Sequence, residues 1–372
     1  MKILICPDKF KGSLTALEVG EALTRGIRKV RSEAQITIQS LADGGDGSLA
    51  VLRDTLGLQE VSVDTFDHLR RRMRANYFTD GKTAYVELAA ASGLALLAED
   101  ERDPMKCSTY GTGLLIKHAL DAGAERIRLF LDGSATHDLG FGIAAALGFR
   151  FLALSGKVIR PNGAALELIR YIEKPTKAKY RQAKIELICD VRNPLLGENG
   201  AARIYAPQKG ADALAVERLE YGSQSSSGVI EQQFGRSVTN VIGGGAAGGI
   251  AAGLYGLFGA EIVAGFPLIS ELVGLEDQIA AADLVISGEG KLDGQSLEGK
   301  VVSGVAELCQ RLEKTLILVV GHTELEQFEQ VTEIYAVSRL ARDLADSMGN
   351  AGGYLEEIGE GIANSIPRKS SE

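Results

Sequence analysis

The chain has 372 residues and a formal net charge of −9, and these two values already exclude some classes of protein. The length is too great for one ordinary core, so two domains are expected. The acidic balance repels phosphate backbones and argues against nucleic acid as a partner. The four cysteines are far apart and form no C-x-x-C pair, which argues against a disulfide framework or a zinc site and suits a reducing cytosol.

The first sixty residues have the pattern of a strand, a helix and a second strand. Residues 2–6 form a short apolar run that is typical of a buried parallel strand. Thr15 and Glu18 have the spacing of a capping box, and apolar residues, starting at Leu17, recur behind them at helical spacing. Residues 35–41 are predicted to form the second strand.

The last ninety residues repeat this alternation. Strands are predicted at 283–287, 315–320 and 333–337, with an amphipathic helix at 301–312. Strands that alternate with helices indicate a parallel sheet with right-handed crossovers. The tail after residue 366 is expected to fray.

The middle of the chain has a different pattern. Short strands are predicted at 60–66, 72–78 and 83–88, and the Asp80-Gly81 pair predicts a hairpin turn between the last two. These strands therefore predict an antiparallel or mixed sheet. The serine-rich residues 224–228 are predicted to be a surface loop.

The predicted fold class is therefore α/β with two domains. A Rossmann-like parallel-sheet domain is expected from both chain ends, residues 1–60 and 265–372. A mixed-sheet α/β domain, residues 61–264, is expected to be inserted between them.

Polar loops follow several of the predicted strands, where ligands bind in open parallel sheets. Lysines, hydroxyls and helix amides can bind a carboxylate or phosphate, and carboxylates beside glycines suit magnesium or proton abstraction. Each residue type also has a structural interpretation as a turn, a cap or a surface ion pair. The candidates are Lys9, Lys11 and Ser13 in PDKFKGS (7–13), Asp43 and Asp46 in DGGDGS (43–48), Ser134 and Thr136 in DGSATHD (132–138), and Asp190 and Arg192 in CDVRNP (189–194).

The segment 287–300 has the strand–loop–helix context of a phosphate cradle. Its second half nearly matches the Walker A pattern. Val301 replaces the Ser or Thr that would meet magnesium, and the loop lies too far from the strand end, so a true P-loop is rejected. A different phosphate loop is predicted, with Lys291 on the phosphate and Asp293 near the metal.

A second glycine-rich segment supports an alternative function. Gly243, Gly245 and Gly248 match G-x-G-x-x-G, and Glu261 lies roughly where a ribose-binding acid is expected. This favours an NAD(P)-dependent oxidoreductase acting on a small hydroxy-acid. The preceding residues 236–240 are too polar for a convincing buried strand. Residues 241–260 carry no charge, and a glycine loop before a buried helix is favoured over a membrane span.

Two interpretations are open for each of two basic residues, His137 and Lys209. His137 is either a structural histidine or part of a site, and the structural interpretation is favoured. Lys209, in PQKG (207–210), either neutralises a phosphate or makes an ordinary surface ion pair.

Taken together, these motifs resemble class I glycerate kinases. The matching strings, in chain order, are PDKFKGS (7–13), LADGGDG (41–47), GKTAYVELAAASGL (81–94), STYGTG (108–113), GSATHD (133–138), CDVRNPLLG (189–197), APQKGA (206–211), GGAAGG (244–249) and SGEGKLDGQSLEGK (287–300). The resemblance implies the two-domain glycerate kinase I fold and Mg²⁺-assisted, ATP-dependent phosphorylation of D-glycerate in organic-acid degradation. Bacterial members typically yield 2-phosphoglycerate. No membrane partner is expected, and a homodimer is the candidate assembly.

The resemblance also suggests roles for the loop residues. Asp43 is the candidate base, with Lys11 and Asp190 as further catalytic candidates. Lys9, Ser13, Ser134, Thr136 and Arg192 are the candidates for substrate binding, Gly288, Gly290, Lys291 and Asp293 for the nucleotide, and Asp190 and Asp46 for the metal. Three residues depart from the usual family pattern: Lys9 stands where Ser is common, Asp132 where Gly is usual and His137 where Asn is usual.

Overall fold

The structure of the protein is a computed structural model, which describes residues 1–292, 301–325, 327–328 and 330–366. Asp293, the rest of the predicted phosphate loop up to residue 300, and the tail 367–372 lie outside the described residues. In the described part of the chain, no helix is both long and apolar enough to cross a membrane.

The strands alternate with helices along most of the chain. The strands are β1 (Lys2–Pro7), β2 (Gln35–Ile38), β3 (Gln59–Phe66), β4 (Arg72–Thr79), β5 (Thr83–Glu87), β6 (Arg126–Phe130), β7 (Arg150–Leu152), β8 (Val158–Ile159), β9 (Tyr171–Glu173), β10 (Lys184–Ile188), β11 (Glu261–Val263), β12 (Leu284–Gly288), β13 (Lys291–Leu292), β14 (Leu316–Val320), β15 (His322–Thr323) and β16 (Glu333–Ala336).

The helices are α1 (Ala16–Val30), α2 (Ser48–Leu56), α3 (Ala89–Ser92), α4 (Tyr110–Asp121), α5 (Phe141–Ala146), α6 (Ala178–Arg181), α7 (Ala201–Tyr205), α8 (Ala213–Phe234), α9 (Ala246–Phe258), α10 (Gly265–Leu272), α11 (Leu275–Ala281), α12 (Val301–Arg311), α13 (Leu344–Gly349) and α14 (Ala351–Ser365). Short 3₁₀ turns, including Pro207–Lys209, complete the regular structure.

The chain divides into two compact units. Unit 1 comprises Met1–Asp43, Ala50–Thr55 and Gly265–Glu372, and unit 2 comprises Gly44–Leu49 and Leu56–Ala264. The domain bounds predicted from the sequence differ from these units at residues 44–49 and 56–60. That the predicted bounds separate two independently folding domains stays a prediction.

Unit 1 is built around a five-stranded parallel sheet in the order β16-β14-β12-β1-β2. Apolar residues of α1 and α14 cover one face of this sheet. The two helices pack so closely that a Cβ on Gly26 would lie 1.9 Å from the Glu356 carbonyl oxygen. The capping box of Thr15 and Glu18 at the start of α1 is confirmed. Leu17 is half exposed rather than buried, so its place in the predicted apolar stripe is wrong.

Unit 2 contains a six-stranded mixed sheet in the order β11-β10-β6-β5-β4-β3. The antiparallel pairs are β3 with β4 and β4 with β5, and the remaining pairs are parallel. Asp80 forms the predicted turn, because its Oδ1 accepts hydrogen bonds from the amides of Lys82 and Thr83. Buried side chains of α4 and of the sheet form the main core. The predicted α/β class, with a parallel sheet and a separate mixed sheet, is confirmed.

The predicted surface loop at residues 224–228 is wrong, because these residues lie inside α8. Ser226 and Ser227 are buried. Their hydroxyls donate to the carbonyls of Leu166 (3.1 Å) and Gln224 (2.8 Å), which satisfies them within the packed helix.

Candidate active-site residues in the two units

In unit 1, the predicted loops meet at the carboxyl end of β1. β1 lies between β2 and β12 in the sheet. The chain runs from β1 to β2 on one side and from β12 to β14 on the other, so the loops after β1 and β12 lie at a topological switch point. The Asp8 amide donates to the Gly288 carbonyl at 2.8 Å, and the Leu41 amide donates to the Pro7 carbonyl at 2.9 Å. The segments that carry Lys11, Asp43 and Lys291 therefore share one edge of one sheet.

The glycines after β12 are required by close backbone contacts. A Cβ on Gly288 would lie 1.7 Å from the Val319 carbonyl oxygen, and one on Gly290 would lie 3.1 Å from the Lys11 amide nitrogen. The Gly290 carbonyl accepts a hydrogen bond from the His322 amide at 3.0 Å. This loop is held at a defined position beside the loop that follows β1, as a phosphate-binding loop requires.

The lysines at this edge differ in environment. Lys11 and Lys291 are exposed, whereas Lys9 is half-buried with its Nζ 3.9 Å from Asp8 Oδ1. Asp8 is itself buried and accepts a hydrogen bond from the Lys9 amide. Two exposed ammonium groups at a switch point are suited to phosphate or carboxylate.

Ser13 has a structural partner in unit 1. Its hydroxyl donates to the Met348 carbonyl of α13 at 2.7 Å. This contact ties the loop after β1 to α13, and the predicted contact of Ser13 with substrate stays a prediction.

In unit 2, acidic residues gather at the carboxyl ends of β5 and β6. Glu87 is the last residue of β5 and is aligned with Phe130 of β6. Two residues further on, Asp132 Oδ2 accepts a hydrogen bond from the Asp46 amide at 2.9 Å. Burial raises the pKa of Glu87, and the nearby Asp46 carboxylate acts in the same direction, while the Leu49 amide opposes them by donating to it. Sequence reasoning missed Glu87, whose only signal was its place at the end of a predicted strand.

The acidic residues that the structure describes do not form a preformed metal cage. In the described ranges, no group of three or more His, Cys, Asp or Glu residues is arranged to hold a metal ion. Mg²⁺ in kinase sites usually keeps several waters and binds one or two carboxylates together with substrate phosphates. The exposed Asp46 and Asp190 offer carboxylate oxygens of the type that this mode requires.

The loop 132–138 has its hydroxyl groups turned inward. Ser134 and Thr136 are 8% and 0% exposed, and their hydroxyl oxygens lie 3.0 Å apart. Ser134 Oγ also accepts a hydrogen bond from the Thr136 amide at 3.1 Å. Ser134 is the more accessible of the two, and binding of substrate by either hydroxyl stays a prediction.

The next two residues of this loop have structural partners. His137 is fully buried, with Nε2 3.0 Å from the Ser223 hydroxyl of α8, and burial together with the charge of Lys209 lowers its pKa to about 3. Asp138 Oδ2 accepts hydrogen bonds from the amides of Thr109 (2.8 Å) and Gly142 (3.2 Å), which ties the loop to α4 and α5. The structure therefore favours the structural interpretation of His137.

Lys209 is buried rather than paired at the surface. It is 3% exposed, and its Nζ donates to the Thr136 carbonyl at 2.8 Å. The interpretation of Lys209 as an ordinary surface ion pair is wrong. By contrast, Asp190 and Arg192, which follow β10, are both exposed.

The glycine-rich segment 243–249 packs against two other loops of unit 2. The amides of Gly243 and Gly245 donate to the carbonyls of Arg192 (3.2 Å) and Asn193 (2.9 Å). Gly248 has φ +72°, and a Cβ there would lie 2.2 Å from the Thr136 carbonyl oxygen. Residues 235–242 contain no strand, so the strand–turn–helix context of a dinucleotide site is missing. The glycines are explained by backbone packing, and the oxidoreductase alternative is not supported.

Comparison with known proteins identifies a family for nearly the whole chain. Residues 3–367 match the model of the glycerate kinase family. Glycerate kinase of Bacillus subtilis is 37% identical over 373 residues, which is 98% of each chain. Glycerate 2-kinase of Escherichia coli is 36% identical over 374 residues, which is 100% of this chain and 96% of the relative. A crystal structure from Salmonella typhimurium LT2, described as a candidate glycerate kinase 2, matches with a TM-score of 0.87, 36% identity and 98% coverage of both chains.

Proposed function

This chain belongs to the glycerate kinase family, and we propose that it transfers the γ-phosphoryl group of ATP to a hydroxyl of D-glycerate, giving 2-phosphoglycerate in organic-acid degradation. The observation that carries the proposal is the match over residues 3–367 to this family. The polar loops at the carboxyl ends of the strands in both sheets support it, because phosphoryl transfer depends mainly on positioning and on charge stabilisation.

In unit 1, we assign the nucleotide phosphates to the loop after β12. Gly288 and Gly290 supply closely packed backbone, and the exposed Lys291 supplies a positive charge. Asp293 is kept in this set as a proposal, although it lies outside the described residues. Lys9 and Lys11, at the same edge, bind anionic groups of the substrate or of the transferring phosphoryl group.

Asp43, also in unit 1, is the proposed base. When the glycerate hydroxyl oxygen attacks the γ-phosphorus, the bond from that phosphorus to the ADP oxygen breaks and the hydroxyl proton passes to the Asp43 carboxylate. A positioned carboxylate of this kind contributes roughly 10²–10⁴-fold to the rate.

In unit 2, we assign the acceptor's polar groups to Ser134, Thr136 and Arg192. The carboxylates of Asp46 and Asp190 are the proposed magnesium ligands. Magnesium, when bound with ATP, neutralises charge on the phosphate oxygens. The residues of this chain orient the nucleotide and the acceptor.

An ADP-release assay tests the proposed function. The protein is supplied with Mg-ATP and, in separate reactions, with D-glycerate, L-glycerate, tartronate or glycerol. ADP release that depends on D-glycerate and exceeds release with the other three is expected. An equal rate with and without every acceptor would overturn the assignment. A melting temperature that rises with NADH and not with Mg-ATP would revive the oxidoreductase alternative.

A further inference from the structure

Lys209 is a buried cation whose charge is only indirectly compensated. It ends the 3₁₀ turn Pro207–Lys209, is 3% exposed, and donates one hydrogen bond, to the Thr136 carbonyl at 2.8 Å. Within the part of the chain that the structure describes, it forms no direct ion pair. A buried ammonium group is normally paired, since leaving water is costly for a charge.

The carboxyl group that interacts with Lys209 is already occupied by other donors. Asp138 lies close enough to interact with Lys209 through its field. Its carboxylate accepts hydrogen bonds from the amide and hydroxyl of Thr109, the hydroxyl of Ser108 and the amides of Gly140 and Gly142. His137, which also faces this lysine, adds no positive charge near neutral pH because its pKa is lowered to about 3. Asp138 therefore mainly anchors the loop, and it compensates the positive charge of Lys209 only in part.

This field acts on the segment that leads out to the edge of the sheet. Lys209 holds the carbonyl of Thr136, and the Thr136 hydroxyl oxygen lies 3.0 Å from Ser134 Oγ. Ser134 follows the exposed Asp132 and Gly133, which come just after the carboxyl end of β6. Ligands of α/β sheets bind at such edges, and electrostatic interactions are stronger in a water-poor interior than in water.

We propose that Lys209 determines acceptor specificity: its charge, acting through the Ser134–Thr136 segment, favours an acceptor that carries a carboxylate over an uncharged polyol. The proposal rests on the proposed function, because it concerns the acceptor of the same reaction. Lys209 acts as a positioning and electrostatic residue and does not touch the reacting atoms.

Three variants test this role. Lys209→Met removes the charge and keeps most of the side-chain length, Lys209→Arg keeps the charge, and Lys157→Met removes an exposed lysine of the same unit as a matched control. For Lys209→Met, we expect the KM for D-glycerate to rise about tenfold or more while the KM for ATP stays close to that of the wild type. Lys209→Arg should recover most of the affinity for D-glycerate, and Lys157→Met should behave as the wild type.

A purely structural role predicts a different result. Lys209→Met would then melt at a lower temperature but would keep the wild-type KM for D-glycerate, and this outcome would overturn the proposal. Calorimetric titration with D-glycerate gives the same comparison without turnover. A wild type that releases no ADP with D-glycerate refutes the proposed function, whereas equal dissociation constants for the wild type and Lys209→Met refute the role of Lys209.

The wild-type protein provides a second test that needs no variant to fold. Burial lowers the pKa of Lys209 to about 8, although Cys107 and Asp138 oppose the shift. The carboxylate of D-glycerate stays ionised between pH 6.5 and about 9.5. The KM for D-glycerate should therefore rise above pH about 8, as Lys209 loses its proton, while the KM for ATP stays nearly constant. A KM for D-glycerate that is flat to pH about 9.5 contradicts the proposal.

Discussion

Replacing Gly248 by Ala should destabilise unit 2 because this glycine is needed for packing. Its φ of +72° costs an L-residue roughly 1–2 kcal/mol. The new Cβ would lie 2.2 Å from the Thr136 carbonyl oxygen, which also accepts the Lys209 hydrogen bond. Displacing that buried carbonyl adds about 1–3 kcal/mol. A total of roughly 2–5 kcal/mol corresponds to a melting temperature about 4–20 °C lower for a unit of this size.

Differential scanning calorimetry of Gly248→Ala and of a matched control checks this prediction. Gly228, inside α8, has open space where a Cβ would be added, so Gly228→Ala should be neutral or stabilise the helix by up to about 1 kcal/mol. A Gly248→Ala protein that melts within about 1 °C of the wild type would refute the argument. Added NADH should leave the melting temperature of the wild type unchanged, since we explain these glycines by packing alone.

Three further predictions concern single side chains. Asp43→Asn should lower kcat about 10²-fold or more in the ADP-release assay, and near-normal turnover would remove Asp43 from the role of base. Lys291→Ala should raise the KM for ATP several-fold with little change in the KM for D-glycerate, and an unchanged ATP dependence would contradict its contact with phosphate. Hydrogen bonds from Arg342 and Tyr354 hold the pKa of Asp346 well below its usual range. The resulting stabilisation is present above the unfolded pKa of about 3.9 and is lost as the pH falls through the folded value. Asp346→Asn should therefore weaken the dependence of the melting temperature on pH between about 2 and 4, and an unaltered dependence would contradict this reasoning.

The strands and helices of unit 1 were largely predictable because their signals are local. The apolar run of β1 and the capping box before α1 depend on neighbouring residues and were found correctly. The residues 224–228 were misassigned because serine and glycine are typical of loops. In the structure these residues lie inside α8, which begins after the N-cap Asp212. The hydroxyl of Ser226 donates to the carbonyl of Leu166, outside the helix, and that of Ser227 donates to Gln224 within it, and sequence spacing alone did not reveal this.

The candidate site was predictable only in part. The polar loops were expected at strand ends, and the structure places them there. The burial of Lys209 was not predictable, because it depends on a contact between residues 209 and 136 that are distant in sequence. Glu87 was missed for a similar reason, since its partners Asp46 and Asp132 come from two other segments.

Phosphorylation of D-glycerate by ATP can be followed directly by ³¹P nuclear magnetic resonance of the complete reaction. With Mg-ATP and D-glycerate, we predict a single new phosphomonoester signal that coincides with added 2-phosphoglycerate and grows in step with ADP. Formation of ADP with inorganic phosphate alone, or no loss of ATP, would contradict the claim.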